Sequence, residues 1–363
     1  MTYRTLPRQV GCILFACASF GGRGHLLAQA GADPRYQTRQ SDCRYQPPPG
    51  TPLQVRRSDS GITPHGYTAE RVLTFSADAR HLSGGEIVVC TEYGRVEIAD
   101  SDDDQVRLQV RMEGFGEGST DPAAAAKRVL DETRLEPFLT DSGGRLMVRV
   151  WHSTLGFTSP GGQPAWVGVR LHVPNRGSYR VTTDAFHGTV TVRRLTLAGA
   201  MLRGNVGEKF KGIPGFIGHT ELDNVALAGD VSIHNLAGIP GVRPPVAPEL
   251  SSLAAPILVK ARVVSASRMT AVTGGNISIA IQPSPEVGVR ALGQANEGTV
   301  NIGLDGGVAE TLPDSGFRVQ HSFGTRDFES RSVQITIRAA STHGSVKVAS
   351  IPAAPLPRRP AGQ

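Results

Sequence analysis

Gly188-Thr189-Val190-Thr191-Val192 is the stretch on which the reading of this chain turns. A glycine leads two β-branched aliphatics set one residue apart, with threonines between them. At a period of two, Val190 and Val192 fall on one face of a strand and Thr189 and Thr191 on the other. The same form returns at Gly85-Glu86-Ile87-Val88-Val89, Gly94-Arg95-Val96-Glu97-Ile98, Gly229-Asp230-Val231-Ser232-Ile233, Gly275-Asn276-Ile277-Ser278-Ile279, Gly298-Thr299-Val300-Asn301-Ile302 and Gly344-Ser345-Val346-Lys347-Val348. The chain's own Gly, Val and Ile content would produce roughly one such match by chance. The excess is therefore a repeat, with Gly85, Gly94, Gly188, Gly229, Gly275, Gly298 and Gly344 as its turn glycines. At those positions glycine permits a positive φ or a close backbone approach.

Strands of four or five residues cannot bury an apolar face alone, and stacking them as rungs around a shared interior solves that problem. The expected fold is all-β, a single-stranded β-helix or solenoid with one short helix. A β-sandwich is the competitor, because it also uses short alternating strands at 8 to 12 residue spacing. Composition agrees with many strands and turns: 39% hydrophobic and 6% aromatic residues accompany 43 glycines. The helix is predicted over Ala123 to Leu130, with Ser119, Thr120 or Asp121 as cap and Pro122 in its first turn. Pro and Gly cluster at Pro47 to Gly50, Ser159 to Pro164, Ile239 to Pro256 and the tail from Pro352. The Ile239 to Pro256 stretch reads as a surface insertion, and binding residues favour such loops.

The first thirty residues have the form of an export signal: Arg4 and Arg8 precede an apolar stretch from Val10 to Phe20, and Ala28-Gln29-Ala30 offers a cleavage site. Lipidation at Cys17 is the alternative, weakened by bulky Phe15 in the box. The expected organisation is a signal over 1–30, an N-terminal extension over 31–75, the β-solenoid over 76–350 and a Pro-rich tail over 351–363. No stretch reaches the ~20 apolar residues of a transmembrane helix. The expected location is the periplasm, cell surface or extracellular space.

The leader carries three of the 38 Lys and Arg, which leaves 35 cations against 32 Asp and Glu, a net +3. That balance, with no basic block interleaved with aromatics, argues against a nucleic-acid partner. Cys12 and Cys17 leave with the leader, so Cys43 and Cys90 are the expected disulfide of an oxidising compartment. Closing that loop would stabilise the fold by about 4 kcal/mol on the chain-entropy model.

Four constellations could carry chemistry. Asp141-Ser142-Gly143-Gly144 resembles the nucleophile turn of chymotrypsin-like proteases, but Asp-Ser-Gly recurs at Asp59 and Asp314 and reads better as turn chemistry. Asp100, Asp102, Asp103 and Asp104 gather carboxylates, yet Gln105 and Arg111 stand where a calcium loop needs Gly and Glu. His152, His187, His219 and His234 lie near strands without ligand spacing and read as outward-facing. Asp184, His187, Lys209, Asp223 and Asp230 would be the acid and base candidates of a polysaccharide lyase or glycoside hydrolase.

The order of elements resembles the bacterial putative-adhesin family, exported β-helix domains of unknown function. The likeness spans about 76–350. It is carried by the Gly85 to Ile98 strand pair, the strand Gln105 to Glu113 with its short helix, and the Asp141 turn with Leu146 to Val150. Further along come Val167 to Pro174, Tyr179 to Val192, and Val333 to Ile337 into Thr342 to Val348. The resemblance implies a non-catalytic adhesin, binding or scaffold protein with an envelope partner, protein or glycan. It supplies no catalytic residue, metal or cofactor. The competing reading is catalysis on carbohydrate.

Overall fold

The computed structural model describes residues 47–116, 119–154, 165–204, 219–235, 256–311 and 318–351, the side chains of 92, 93, 153, 154, 186 and 187 apart. The described chain is mostly strand. It begins with short β1 (Thr51–Pro52), β2 (Arg56–Asp59) and β3 (Thr63–His65), then β4 (Thr68–Asp78), the long β5 (Gly85–Ser101) and β6 (Gln105–Phe115). Helix α1 (Pro122–Glu132) is capped by Asp121, whose side chain accepts from the Ala124 N–H, and it has Pro122 at its start. Next come β7 (Thr133–Asp141), β8 (Leu146–Thr154), β9 (Trp166–Pro174), the long β10 (Tyr179–Arg193), β11 (Thr196–Gly204), β12 (Thr220–Leu227) and β13 (Val231–Asn235). The chain continues through β14 (Ile257–Val263), β15 (Ser267–Thr273), β16 (Ile277–Gln282), β17 (Val287–Ala295), β18 (Val300–Gly303), β19 (Gly307–Glu310), β20 (Val319–Thr325), β21 (Val333–Ser341) and β22 (Val346–Ser350).

These strands pair as one large sheet organised in two ladders. The first runs β8, β5, β10, β11, β13, β15, β21, β17, all parallel. The second runs β9, β5, β10, β12, β14, β16, β22, β18, also parallel. β5 and β10 belong to both, in register from Gly85 opposite Tyr179 to Ala99 opposite Arg193. Antiparallel strands lie at the ends. β7 with β1, and β6 with β4, precede the parallel rungs, and α1 packs on β4 and β6. β20 and β19 follow β17. β4 starts at Thr68, ahead of the boundary expected at 76, and its whole length pairs with β6.

The two alternating aliphatics of each of the seven glycine-led motifs point inward, fourteen in all, from Ile87 and Val89 through Val190, Val231 and Ile277 to Val346 and Val348, while Val88 between the first pair points outward. The fourteen belong to one continuous cluster. Burial of a Val or Ile side chain contributes roughly 1.5–3 kcal/mol, so this shared interior is the main source of stability.

The interior is polar at one corner, where the first ladder turns toward the second. Asn235 accepts from the Gly204 N–H at 3.0 Å and the Thr220 hydroxyl at 2.8 Å, and donates to the Pro256 carbonyl at 3.3 Å. Thr273 accepts from the Gly275 N–H at 3.1 Å. Ser341 donates to the Gly275 carbonyl at 2.7 Å and accepts from the Gly344 N–H at 2.8 Å. Buried turn backbone needs partners, and these short side chains supply them.

Candidate functional site

Each ladder has an outward face, and the two differ. On the second, pairing lines up Arg170, Glu97, Thr191, Glu221, Leu258, Ser278, Lys347 and Asn301 across successive rungs. Charges of opposite sign meet along it. Glu97 receives Arg170 at 3.3 Å and Arg193 at 3.4 Å, with Arg95 at 3.9 Å, and Arg193 continues to Glu221 at 3.7 Å. Lys260 faces Asp223 at 3.7 Å. Glu97 is largely covered by its arginines, its side chain 13% exposed, while the more open Lys260–Asp223 pair contributes at most about 1 kcal/mol. Leu258, 43% exposed, sits among them as an apolar spot. The result is a regular polar platform with alternating charge.

The first ladder's outward face is covered in part, although Arg180, Arg268 and Arg338 on it are exposed. Val88, Cys90, Thr182, Arg203, Ser232 and His234 are each under 10% exposed although they alternate with the inward residues. Asp184 pairs with Arg203 at 3.4 Å, and the Ser232 hydroxyl lies 2.7 Å from His234 Nε2. Arg203 and Ser232 were not singled out from sequence; their parity opposite Leu202, Val231 and Ile233 was the available signal.

The predicted acid and base candidates do not converge. Asp184 is on the covered face, Asp223 faces Lys260 on the other ladder, and Asp230 sits in the turn before β13, where it receives Arg268 at 3.0 Å. Lys209 and the side chain of His187 lie outside the described residues, as does the 239–255 part of the predicted insertion.

The histidines correct the outward expectation. His152 shares the inward face of Leu146, Val148 and Val150, is 2% exposed, and burial pushes its pKa down to about 4. Its parity in β8 places it there. His234 points outward but is covered. His219 is half-buried, and desolvation lowers its pKa.

The acidic turn is also more structured than a solvated loop. Asp100 is 8% exposed and receives Arg194 at 2.6 Å, a bond that raises the guanidinium pKa further. Asp103 accepts from Ser101, Arg107 and the Gln105 N–H; the Ser101 bond foremost lowers its pKa. Asp104 pairs with Arg176 at 2.7 Å. Among the described residues no three His, Cys, Asp or Glu side chains gather as a metal site. Asp141 accepts from the Gly144 N–H at 2.8 Å and meets His81 at 3.3 Å, which is turn chemistry; among the described residues no hydrogen bond joins His81 to Ser142.

Several of the predicted turn glycines sit at close backbone approaches. Gly94 and Gly188 lie against each other in adjacent rungs, and Gly344 packs against the Gly275 backbone on one side and Gly298 on the other. Cys90 is buried on the covered face and has a partner outside the described residues, where Cys43 also lies.

No helix of the described residues is long and apolar enough to cross a membrane. No family model matches the chain, and no curated protein does. Solved structures that it is similar to include a putative cell adhesion protein from Clostridium sporogenes, at 7% identity and a TM-score of 0.34 over 82% of this chain and 100% of that one. A putative adhesin from Bacteroides fragilis aligns at 10% identity and TM-score 0.25 over 77% and 97%. A putative lipid binding protein from Parabacteroides distasonis aligns at 8% identity and TM-score 0.20 over 82% and 96%. At such scores and identities the family of the chain stays unassigned.

Proposed function

We propose that the chain is an exported, non-catalytic binding or scaffold protein of the cell envelope, in which the two parallel ladders close as a β-solenoid and the outward face of the second ladder meets the partner. The observation that carries this reading is the platform itself: Arg170, Glu97, Arg193 and Glu221 stand at rung spacing on a face backed by continuous core. Arg170, Arg193 and Glu221 keep their charged ends partly open to solvent at that regular spacing, which supports recognition. A flat lattice of charged groups and hydroxyls suits a polar polymer such as a glycan, or the surface of another envelope protein. Export rests on the 1–30 signal, and the Cys43–Cys90 bridge belongs to the same oxidising setting.

The test is a glycan array run beside a reducing-end assay on the mature protein. Binding without turnover is expected, weakened at least tenfold by Arg170→Ala together with Glu221→Ala. Turnover that disappears in Asp184→Ala or Asp223→Ala would establish the carbohydrate-enzyme reading in its place.

A further inference from the structure

Where the platform begins, on β9, an aromatic side chain lies over a glycine. Trp166, Gly168 and Arg170 share the outward face of that strand and alternate with buried Val167, Val169 and Leu171. Gly168 leaves room above the sheet, and the six-membered edge of the Trp166 ring fills it: a methyl at Gly168 would stand 3.0 Å from one ring carbon and 3.2 Å from the next. A glycine inside a strand marks such a close approach. The indole nitrogen is buried while the residue as a whole is partly exposed, so the ring shows carbon to solvent.

The charges around this ring are balanced within the protein. Gly168 is flanked across the sheet by Arg111 of β6 and Arg95 of β5. Arg111 meets Glu70 at 2.9 Å and Glu113 at 3.0 Å, and Glu97 receives Arg170 at 3.3 Å with Arg95 at 3.9 Å. The three arginine side chains are still about half exposed, 48% for Arg95, 54% for Arg111 and 55% for Arg170. An ionic partner would have to displace those pairs, whereas a neutral one finds further guanidinium N–H groups and carboxylate lone pairs around an apolar surface. Neighbouring strands are about 4.8 Å apart, so both flanking arginines stand within reach of a group seated on the ring. Trp and Arg are also the residue types that dominate binding surfaces.

We infer that Trp166, seated on Gly168, is a stacking shelf for one sugar ring of a neutral β-linked glycan, with Arg95, Arg111, Arg170 and Glu97 hydrogen-bonding its hydroxyls. A pyranose with equatorial hydroxyls has the matching chemistry: the C–H groups of its broad face meet the indole, and the hydroxyls around its rim meet the charged groups. The assignment rests on the platform reading and narrows its partner from any polar surface to a glycan anchored at the first rungs.

The chain has two tryptophans, so Trp151→Phe leaves Trp166 as the sole indole reporter. Titrating that protein with cellohexaose and with chitohexaose should give a saturable change in emission with at least one of them. Calorimetry should then show affinity for that sugar falling at least tenfold in Trp166→Ala and in Gly168→Val, but less than threefold in Trp166→Phe, with circular dichroism to establish that each variant is folded. Emission unmoved by either sugar overturns the shelf, and so does unchanged affinity in folded Trp166→Ala. The platform is decided separately: glycan or protein binding that survives Trp166→Ala and is lost in Arg170→Ala with Glu221→Ala keeps the platform and removes the shelf.

Discussion

His152 shows what a single side chain can impose on this interior. Neither ring nitrogen has a hydrogen-bond partner, and the imidazole lies among core aliphatics, so its charged form is disfavoured. With a folded pKa of about 4 against an ordinary 6.5, the unfolded chain binds the proton first as pH falls. Stability is therefore intact above pH 6.5 and drains away between 6.5 and 4, by about 3 kcal/mol in full. Asp59, held down to about 2 foremost by its bond from Arg71, loses its contribution only below its ordinary 3.8, outside that window. Circular-dichroism melts at pH 7 and 4.5 should show a drop in Tm that shrinks in His152→Leu; equal drops in both proteins would refute the assignment. The alternation Leu146, Val148, Val150, His152 contained this placement, but residue type pointed the other way. The alternating aliphatics of the glycine-led motifs were legible because type and parity agreed, whereas Val88 and Leu258 point outward despite their type.

Strands and turns were legible to a different depth. Five of the glycine-led motifs, at Gly85, Gly229, Gly275, Gly298 and Gly344, mark strand starts, and α1 follows from its cap and proline, extending to Glu132. The assignment of a motif to one ladder or the other was not, since Gly229 opens a rung of the first and Gly275 a rung of the second with the same local pattern. Nor did the motifs at Gly85 and Gly94 reveal that they share one uninterrupted strand. Turn glycines also separate by cause. A methyl at Gly344 would meet the Gly275 backbone, whereas Gly143 has open space and a φ of 63°. Gly344→Ala should thus cost about 3 kcal/mol through overpacking of fixed backbone, and Gly143→Ala about 1 kcal/mol through its left-handed conformation. Urea titrations that give the two variants equal midpoints would refute the distinction.

Across the whole molecule, the platform depends on register between distant parts of the chain. Glu97 and Arg193 are 96 residues apart in sequence, and they meet because β5 and β10 pair without a shift along both ladders. No local pattern encodes such a meeting, which explains why composition pointed to a polar surface but not to its particular pairs. The covered face was hidden for the same reason. That long β5–β10 seam also governs how the protein answers force. A load that drags the C-terminal end of β5 one way and the start of β10 the other strains all of their hydrogen bonds together in shear, while a load on the same ends of both strands peels them apart one after another. Optical-tweezer handles at Asp102 and Ser178 should therefore hold to a higher rupture force than handles at Asp102 and Arg194, and equal forces would contradict it. A tether strung along the strand direction would resist tearing, and one hung from the stacking axis would give way rung by rung.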